Sequence, residues 1–348
     1  MRWIVLERIS SEHDERSGTF YSVGYRVRSN EGQEAFMKVT DLDLLTDETC
    51  SIFERTSAAL QAHKFEREIL EHCRGNNMDR IAVAIDYGDT IVRHEHGREP
   101  IFYLVFELAE CDVRVQVDRR TRFDLAWVLA ALHDLAVAIQ QLHGGKVSHN
   151  DIKPSNFLVF MDLTVRERLQ KLADLGRATS PLIFSIYDEA IQIGDRRYAA
   201  PEILYAKEQQ EELCNFGARR AIDLYHLGSM IFFLMTGRML TPEVIRRLAP
   251  ECRPANEDSD WSFTFDEVLP YWREAFGRTL ADFKAQLPVN RAGELTVISQ
   301  GILESLVQLG EPDPMLRGHP LNRLGQADRL SVRQYVSLFD RLRRLALH

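Results

Sequence analysis

Residues 149–156 are His149-Asn150-Asp151-Ile152-Lys153-Pro154-Ser155-Asn156, and the apolar run Phe157–Phe160 follows at once. Within eight positions this stretch carries a histidine, an acid, a base and an amide. Taken alone, it could be a loop whose polar side chains cap neighbouring helices. The landmarks that follow it in the chain favour a catalytic loop instead.

Three such landmarks occur in order. Asp174-Leu175-Gly176 comes first, Ala200-Pro201-Glu202 closes the next segment, and Asp223 stands five residues before Gly228 in a helical apolar pattern. Together with residues 149–156, they resemble the eukaryotic-type (Hanks-type) serine/threonine protein kinase superfamily. The resemblance covers nearly the whole chain and implies an ATP-dependent protein kinase.

Composition bounds the protein class. The chain has 348 residues, 45% of them hydrophobic and 27% charged, which is close to the average for globular proteins. This length suits one large domain or two closely packed lobes. The formal net charge of −9 is spread over both halves, so we expect no nucleic-acid partner.

The compartment is inferred from the cysteines and the apolar runs. Five cysteines without paired metal-ligand spacing suit a reducing compartment. Residues 1–8 lack the apolar run of a secretory signal, and we expect charge to interrupt every later apolar stretch before membrane length. The sequence therefore predicts a cytoplasmic protein with no membrane partner.

The periodicity changes along the chain. Alternation at Tyr21–Val27 and Ala35–Val39 predicts strands, helical spacing predicts a long amphipathic helix from about Ser51 to Cys73, and Ile101–Phe106 is strand-like. Helical patterns dominate afterwards, at residues 125–142, 222–235 and 331–345.

The fold class predicted with the resemblance is α+β, a bilobal protein-kinase-like fold. It has a small β-rich N-lobe with one long helix (1–106), a hinge (107–111) and a larger, mainly α-helical C-lobe (112–348), all within one kinase domain (1–348). Residues 241–314 carry apolar clusters but no chemical motif, and they are a candidate docking region for a cytosolic regulator.

The first lobe contains a candidate phosphate-binding lysine. Ala35-Phe36-Met37-Lys38 resembles the strand that carries it in kinases, and Val23 lies fifteen residues upstream, as in the family. The resemblance therefore implies that Lys38, Val23 and Phe36 lie at the nucleotide. Phe36 stands where the family has alanine above the adenine ring, so its phenyl group could obstruct the pocket.

The glycine loop is sparse. Gly18-Thr19-Phe20-Tyr21-Ser22-Val23 resembles the second half of a glycine-rich phosphate loop, but only Gly18 of the usual three glycines is present. Arg16 and Tyr21 occupy the other two positions, so close approach of the backbone to the phosphates is less assured.

Other nucleotide contacts are implied by the same register. Glu66 on the predicted amphipathic helix is the expected partner of Lys38, with Glu68 as the competing choice. Phe106-Glu107-Leu108-Ala109 resembles the gatekeeper and hinge, where Glu107 and Ala109 would meet the adenine edge. Asp112 would reach the ribose, and Leu158 would form the apolar floor under the base.

The resemblance also implies the roles in catalysis. Asp151 would accept or orient the proton of the substrate hydroxyl, and Lys153 would stabilise charge at the γ-phosphate. Asn156 and Asp174 would hold Mg²⁺. Supporting roles are implied for five further residues, with Arg317 expected to pair with Glu202: His149, Gly176, Glu202, Asp223 and Arg317.

The substrate class follows from the same motifs. Lys153 and Pro154 indicate serine and threonine as acceptors, and small-molecule kinases lack the Ala200-Pro201-Glu202 segment. The protein substrate itself stays unknown. Two alternatives are open: a pseudokinase scaffold, suggested by Phe36 and the sparse glycine loop, and, more remotely, a small-molecule kinase.

Regulation is indicated by Asn150, which stands where many regulated kinases have arginine to bind a phosphorylated activation loop. We therefore expect activity without a loop phosphate at this site, although four residues could still be modified. They are Thr179, Ser180, Ser185 and Tyr187.

Overall fold

The structure is a computed structural model of the 348-residue chain. It describes residues 2–9, 22–40, 52–94, 97–119, 123–162, 167–206, 210–254, 263–324 and 328–347. In the described part, a β-sheet lobe with one long helix precedes a larger, mostly helical lobe. This confirms the predicted α+β bilobal fold class.

The first lobe is built on a five-stranded antiparallel sheet of order β1-β2-β3-β5-β4. A long helix, α1, lies between β3 and β4 in the chain, as the helical spacing predicted. The bounds are β1 Trp3–Ile9, β2 Ser22–Ser29, β3 Glu34–Thr40, α1 Ile52–Gly75, β4 Ala84–His94 and β5 Gly97–Glu107.

The two faces of this sheet bury different sets of side chains. On one face, Val27, Ala35, Met37 and Val105 form a small core of their own. The other face turns towards α1, and Leu104 there joins the large core that continues into the second lobe. Because side chains alternate along a strand, this division fixes which residues of β3 reach the cleft between the lobes.

The second lobe begins with a small three-stranded sheet of order β6-β7-β8 and continues as helices. Its elements are β6 Cys111–Asp112, α2 Val113–Asp118, α3 Leu125–Gly144, β7 Phe157–Asp162, β8 Glu167–Leu172, α4 Pro201–Leu204, α5 Phe216–Thr236, α6 Leu240–Ile245, α7 Phe265–Lys284, α8 Val297–Leu309 and α9 Arg333–Ala346.

Helix α5 begins six residues before the predicted start at Ile222. The side chain of Asn215 accepts a hydrogen bond from the backbone N–H of Ala218, which caps the helix at this earlier point. Its first turn, Phe216-Gly217-Ala218-Arg219, has no clear apolar periodicity, so the sequence pattern concealed it. The longer helix brings Arg219 into the second lobe's interior.

Helix α3 corrects one expectation from the sequence. It is long and apolar enough to span a membrane by length and composition, although we expected charge to interrupt every such stretch. More than half of it is buried inside the fold, where it packs in the large core. Among the described residues, it is the single helix that passes this test, and its burial is typical of a core helix.

A buried ion pair fastens α4 to the segment between α8 and α9. Arg317 donates to both carboxylate oxygens of Glu202, at 2.6 and 2.8 Å. Its remaining N–H groups donate to the backbone carbonyls of Ala221, Glu311 and Pro312. All five donors of the guanidinium are therefore used, and the side chain is fully buried.

Replacing Arg317 by alanine should lower the free energy of unfolding by about 3–5 kcal/mol, because Glu202 would keep a buried charge without its partner. Chemical denaturation measures the loss. Arg273→Ala is the matched control, since its pairs with Glu311 and Asp313 lie at the surface and should cost at most about 1 kcal/mol. Equal stability of the Arg317→Ala and wild-type proteins would contradict this role.

Candidate active site

Lys38 lies at the centre of an ion-pair cluster between the two lobes. Its Nζ is 2.7 and 2.9 Å from the two carboxylate oxygens of Glu66, and 2.9 Å from Oδ1 of Asp174. Strand β3, helix α1 and the loop after β8 therefore meet at one ammonium group. Glu68, the competing candidate, is exposed on the outer side of α1.

Two carboxylates share this one ammonium group, which leaves one negative charge uncompensated. Burial alone would lower the pKa of Lys38, but the Asp174 and Glu66 carboxylates raise it above its ordinary value. Burial raises the pKa of Glu66. Burial would also raise the pKa of Asp174, but the Lys38 charge holds it below its ordinary value. The cluster is therefore electrostatically suited to a cation.

Asp151 is held from three sides. Lys153 donates from Nζ to Oδ2 at 3.0 Å, and the side-chain amide of Asn156 donates to the Asp151 backbone carbonyl at 2.9 Å. The backbone N–H of Asp195 donates to Oδ1 at 2.9 Å. Burial raises the pKa of Asp151, although the Lys153 charge opposes this. Position and proton affinity are thus both set by the fold.

Asp223 binds the backbone of the loop that contains Asp151. Its carboxylate accepts hydrogen bonds of 2.9 Å from the backbone N–H groups of His149 and Asn150, and it lies 2.9 Å from Nε2 of His143. Burial would raise the pKa of Asp223, but the hydrogen bond with His143 lowers it below its ordinary value. The carboxylate therefore acts as a buried anion that fixes the loop.

The backbone is strained at two of these positions. Asn150 has φ of 63° and Asp174 has φ of 64°, in the left-handed region that Asn and Asp tolerate better than most side chains. The His149 ring nitrogen Nε2, 3.0 Å from the carbonyl of Ala173, links the two loops.

A methyl group at Gly176 would make only ordinary contacts with Asp174 and Glu66, so sterics alone do not demand glycine there.

Val23 lies on the wrong face of the sheet for its expected role. In the register of β2 and β3, Val23 pairs with Val39 and Gly24 pairs with Lys38. Directly paired residues of antiparallel strands point to the same face, so Gly24 and Lys38 share the cleft side and Val23 points away. Val23 is fifteen residues before Lys38, but the strand pairing places Gly24, the next residue, opposite Lys38.

The structure gives the following positions for the other residues that the resemblance assigned to the nucleotide. Gly18, with the glycine-loop residues 16–21, lies outside the described residues. Glu107 is exposed and accepts a hydrogen bond from Lys171 at 2.7 Å, and half-buried Ala109 follows it. Asp112 caps α2 by accepting from the Val115 N–H at 2.9 Å.

Leu158 is half-buried on β7, where it pairs with Asp112. Phe36 pairs with Phe106 across β3 and β5, with ring centroids 6.4 Å apart. Phe36, Phe106 and Lys38 therefore lie on the same face of the sheet.

Two side chains from outside the segment between Gly176 and Glu202 hold it through neutral oxygen acceptors. The side-chain amide of Asn150 donates to Thr179 Oγ1 and to the Arg177 carbonyl, both at 3.1 Å. Buried Arg219 donates to the carbonyls of Ala190 and Ile191. Three of the four expected modification sites are buried in this arrangement: Thr179, Ser180 and Ser185.

Sequence reasoning missed two contributors to this site. Gly194 has φ of +86°, and any β-carbon there would lie 2.5 Å from the Asn150 carbonyl, so glycine lets the chain approach Asp151. Asp195 then supplies the N–H that binds Asp151. A glycine followed by an aspartate shortly before Ala200-Pro201-Glu202 is a turn signal that could have drawn attention to both.

No group of three or more His, Cys, Asp or Glu side chains in the described part of the chain could hold a metal alone. Asn156 uses its amide nitrogen on Asp151, which leaves its oxygen as a possible ligand. Asp174 lies in a cluster with excess negative charge. Hard oxygen donors of this kind fit Mg²⁺ that also binds phosphate oxygens.

Residues 17–267, more than half of the chain, match the family model described as "Protein kinase domain". A curated relative is mitogen-activated protein kinase 15 of Caenorhabditis elegans, 31% identical over 44% of this chain and 31% of the relative.

A second is mitogen-activated protein kinase spm1 of Cytospora mali, 27% identical over 68% of this chain and 50% of the relative. A third is serine/threonine-protein kinase MPS1 of Saccharomyces cerevisiae, 24% identical over 62% of this chain and 26% of the relative. The chain therefore spans half or less of the length of each of these three.

Buried His226 in α5 makes the stability of the folded protein depend on pH. Burial lowers the pKa of His226 to about 4, whereas an unfolded histidine has a pKa of about 6.5. Between these pH values the unfolded chain binds a proton that the folded chain excludes. The free energy of unfolding should therefore fall by about 3 kcal/mol as pH drops through this window.

His226→Gln should remove that contribution and flatten the dependence, as seen in urea denaturation at pH 7 and pH 4.5. His63, whose pKa burial also lowers to about 4, offers a comparison in the other lobe. His63→Gln should flatten the curve by a similar amount, and the double variant by the sum. An unchanged pH slope in His226→Gln would show that this histidine is protonated in the folded protein.

Proposed function

Because the chain belongs to the protein kinase family, we propose that it transfers the γ-phosphate of ATP to serine or threonine hydroxyls of a protein substrate. The observation that carries the proposal is the contact of Lys38 with both Glu66 and Asp174. This contact draws β3, α1 and the loop of Asp174 together around one site. Phosphoryl transfer needs such positioning and charge more than covalent chemistry from the protein.

Asp151 would orient the attacking hydroxyl and accept its proton. Its carboxylate is fixed by Lys153 and by the Asp195 N–H, so little reorganisation is needed when the substrate arrives. A raised pKa makes it a stronger base than an exposed aspartate. Lys153, two residues away, would neutralise charge that develops on the transferred group.

Lys38 would bind the α- and β-phosphates, with Glu66 keeping its ammonium in place. Asn156 and Asp174 would hold Mg²⁺, which, when bound, neutralises phosphate charge and bridges the phosphate oxygens. The uncompensated negative charge around Lys38 supports a divalent cation at this position.

Serine and threonine specificity is supported by Lys153-Pro154 in the catalytic loop and by the name of the yeast relative, a serine/threonine-protein kinase. The ordered Ala200-Pro201-Glu202 segment, bound by Arg317, supports a protein rather than a small molecule as acceptor. The alternative is a pseudokinase scaffold, which Phe36 at the cleft favours.

Asp151→Asn should lower phosphate transfer roughly 100-fold or more, because the amide cannot accept the proton. The assay uses labelled ATP, magnesium and a generic acceptor protein, followed by phosphoamino-acid analysis, and label is expected on serine or threonine. Arg273→Ala is a surface control that should leave the rate unchanged. If the intact protein binds ATP and magnesium but transfers no label, the scaffold alternative takes over.

The four candidate modification sites should not be needed for activity. The bonds of Asn150 to the Arg177 carbonyl and of Arg219 to two backbone carbonyls do not use the four side chains. A variant with Thr179→Val, Ser180→Ala, Ser185→Ala and Tyr187→Phe should therefore retain part of the wild-type rate. Arg219→Ala should lower the rate more than these four substitutions together do, because it releases residues 190–191. Complete loss of activity in the quadruple variant, with its fold intact by circular dichroism, would contradict the expectation.

A further inference from the structure

Phe36 and Gly24 are complementary in shape. A β-carbon added at Gly24 would lie 2.6 Å from Cε2 and 3.0 Å from Cζ of Phe36. These two atoms form the far end of the phenyl ring. The ring therefore reaches sideways from β3 across β2, and it occupies the space that any other side chain at position 24 would need.

This sideways direction bears on whether the ring blocks the cleft. A phenyl group that projected straight out of the sheet would fill the space below it. Here its tip lies against the backbone of the next strand, and the side chain is half-buried. The ring is consequently part of the sheet's cleft-side surface, with its far end over Gly24.

The residues around Phe36 indicate which part of a bound nucleotide would contact the ring. Phe36 shares the cleft face with Lys38, two residues further along β3, and pairs with Phe106 at the end of β5. The two rings are inclined at 41° with centroids 6.4 Å apart. The aromatic surface thus lies between the phosphate-binding lysine and the hinge residues that follow Phe106, where the base of a nucleotide would sit.

We propose that the Phe36 ring, accommodated by Gly24, forms an aromatic roof that stacks on the purine base of the bound nucleotide. The inference rests on the proposed function for the position of the nucleotide. It reverses the expectation that Phe36 obstructs the pocket. A base stacked on a phenyl ring gains dispersion and π interactions that an alanine cannot supply.

The pair also bears on what β2 presents to the cleft. Val23 points away from the cleft, so β2 presents Gly24 and no apolar side chain to the nucleotide. The ring from β3 covers the gap that Gly24 leaves. The apolar surface above the base is therefore supplied by one large residue on β3 opposite a glycine on β2.

The test is calorimetric titration of the full chain with ATP and magnesium. Phe36→Ala should weaken binding roughly tenfold or more, since stacking on one aromatic side chain contributes this much per base. Phe36→Leu, which keeps an apolar side chain of similar bulk but lacks the π-system, should weaken binding as well, whereas Phe36→Tyr should preserve it. Met37→Leu, on the opposite face of β3, is the matched control and should bind as the wild type does.

A double-mutant cycle tests the coupling to Gly24. Gly24→Val should displace the ring and weaken binding, and Gly24→Val combined with Phe36→Ala should bind more tightly than Gly24→Val alone, because the clash is gone. Thermal denaturation confirms that each variant is folded. Tighter ATP binding by Phe36→Ala, or independent effects of the two changes, would overturn the proposal.

The binding assay separates this inference from the proposed function. Wild-type protein that binds ATP but transfers no phosphate would refute the kinase activity and leave the aromatic roof intact. Active protein whose nucleotide affinity is unchanged in both Phe36→Leu and Phe36→Ala would refute the roof and leave the kinase activity intact.

Discussion

The ammonium group of Lys38 is the point on which the arrangement of the site depends. It is buried between Glu66 and Asp174, and two carboxylates could not approach each other in this interior without a cation between them. Each carboxylate belongs to a different element, α1 for Glu66 and the loop after β8 for Asp174. The position of α1 against the sheet and the left-handed turn at Asp174 are therefore held by one charge.

A second buried charge plays the same part in the larger lobe. Asp223 binds the consecutive backbone N–H groups of His149 and Asn150, and this compensates for the unusual φ of Asn150. That turn aims the Asn150 amide at Thr179 and the Arg177 carbonyl. Order in the segment before Glu202 thus originates in the interior of the lobe, through Asn150 and Arg219.

Much of the fold and of the site could be predicted because their signals are local. The strands at Ser22–Ser29 and Glu34–Thr40, the helix Ile52–Gly75 and the polar motif around Asp151 each lie within one short stretch. What the sequence concealed depends on pairing between stretches. The one-residue register of Gly24 against Lys38 follows from hydrogen bonds between strands, and a spacing count cannot contain it. The Asp195 N–H that binds Asp151 is a backbone group, so the identity of the side chain at position 195 does not reveal the contact.

The substitution of Phe36 for alanine shows how a departure from a family pattern gains its meaning from a second residue. Considered alone, a larger side chain in a close-packed cleft predicts obstruction. Gly24 changes that expectation, because the volume absent from β2 is the volume that the Phe36 ring requires. The two positions are twelve residues apart and meet only through the antiparallel pairing of β2 with β3. The cleft-side face thus carries a phenyl ring where the family has alanine, and this is a change that nucleotide affinity can report.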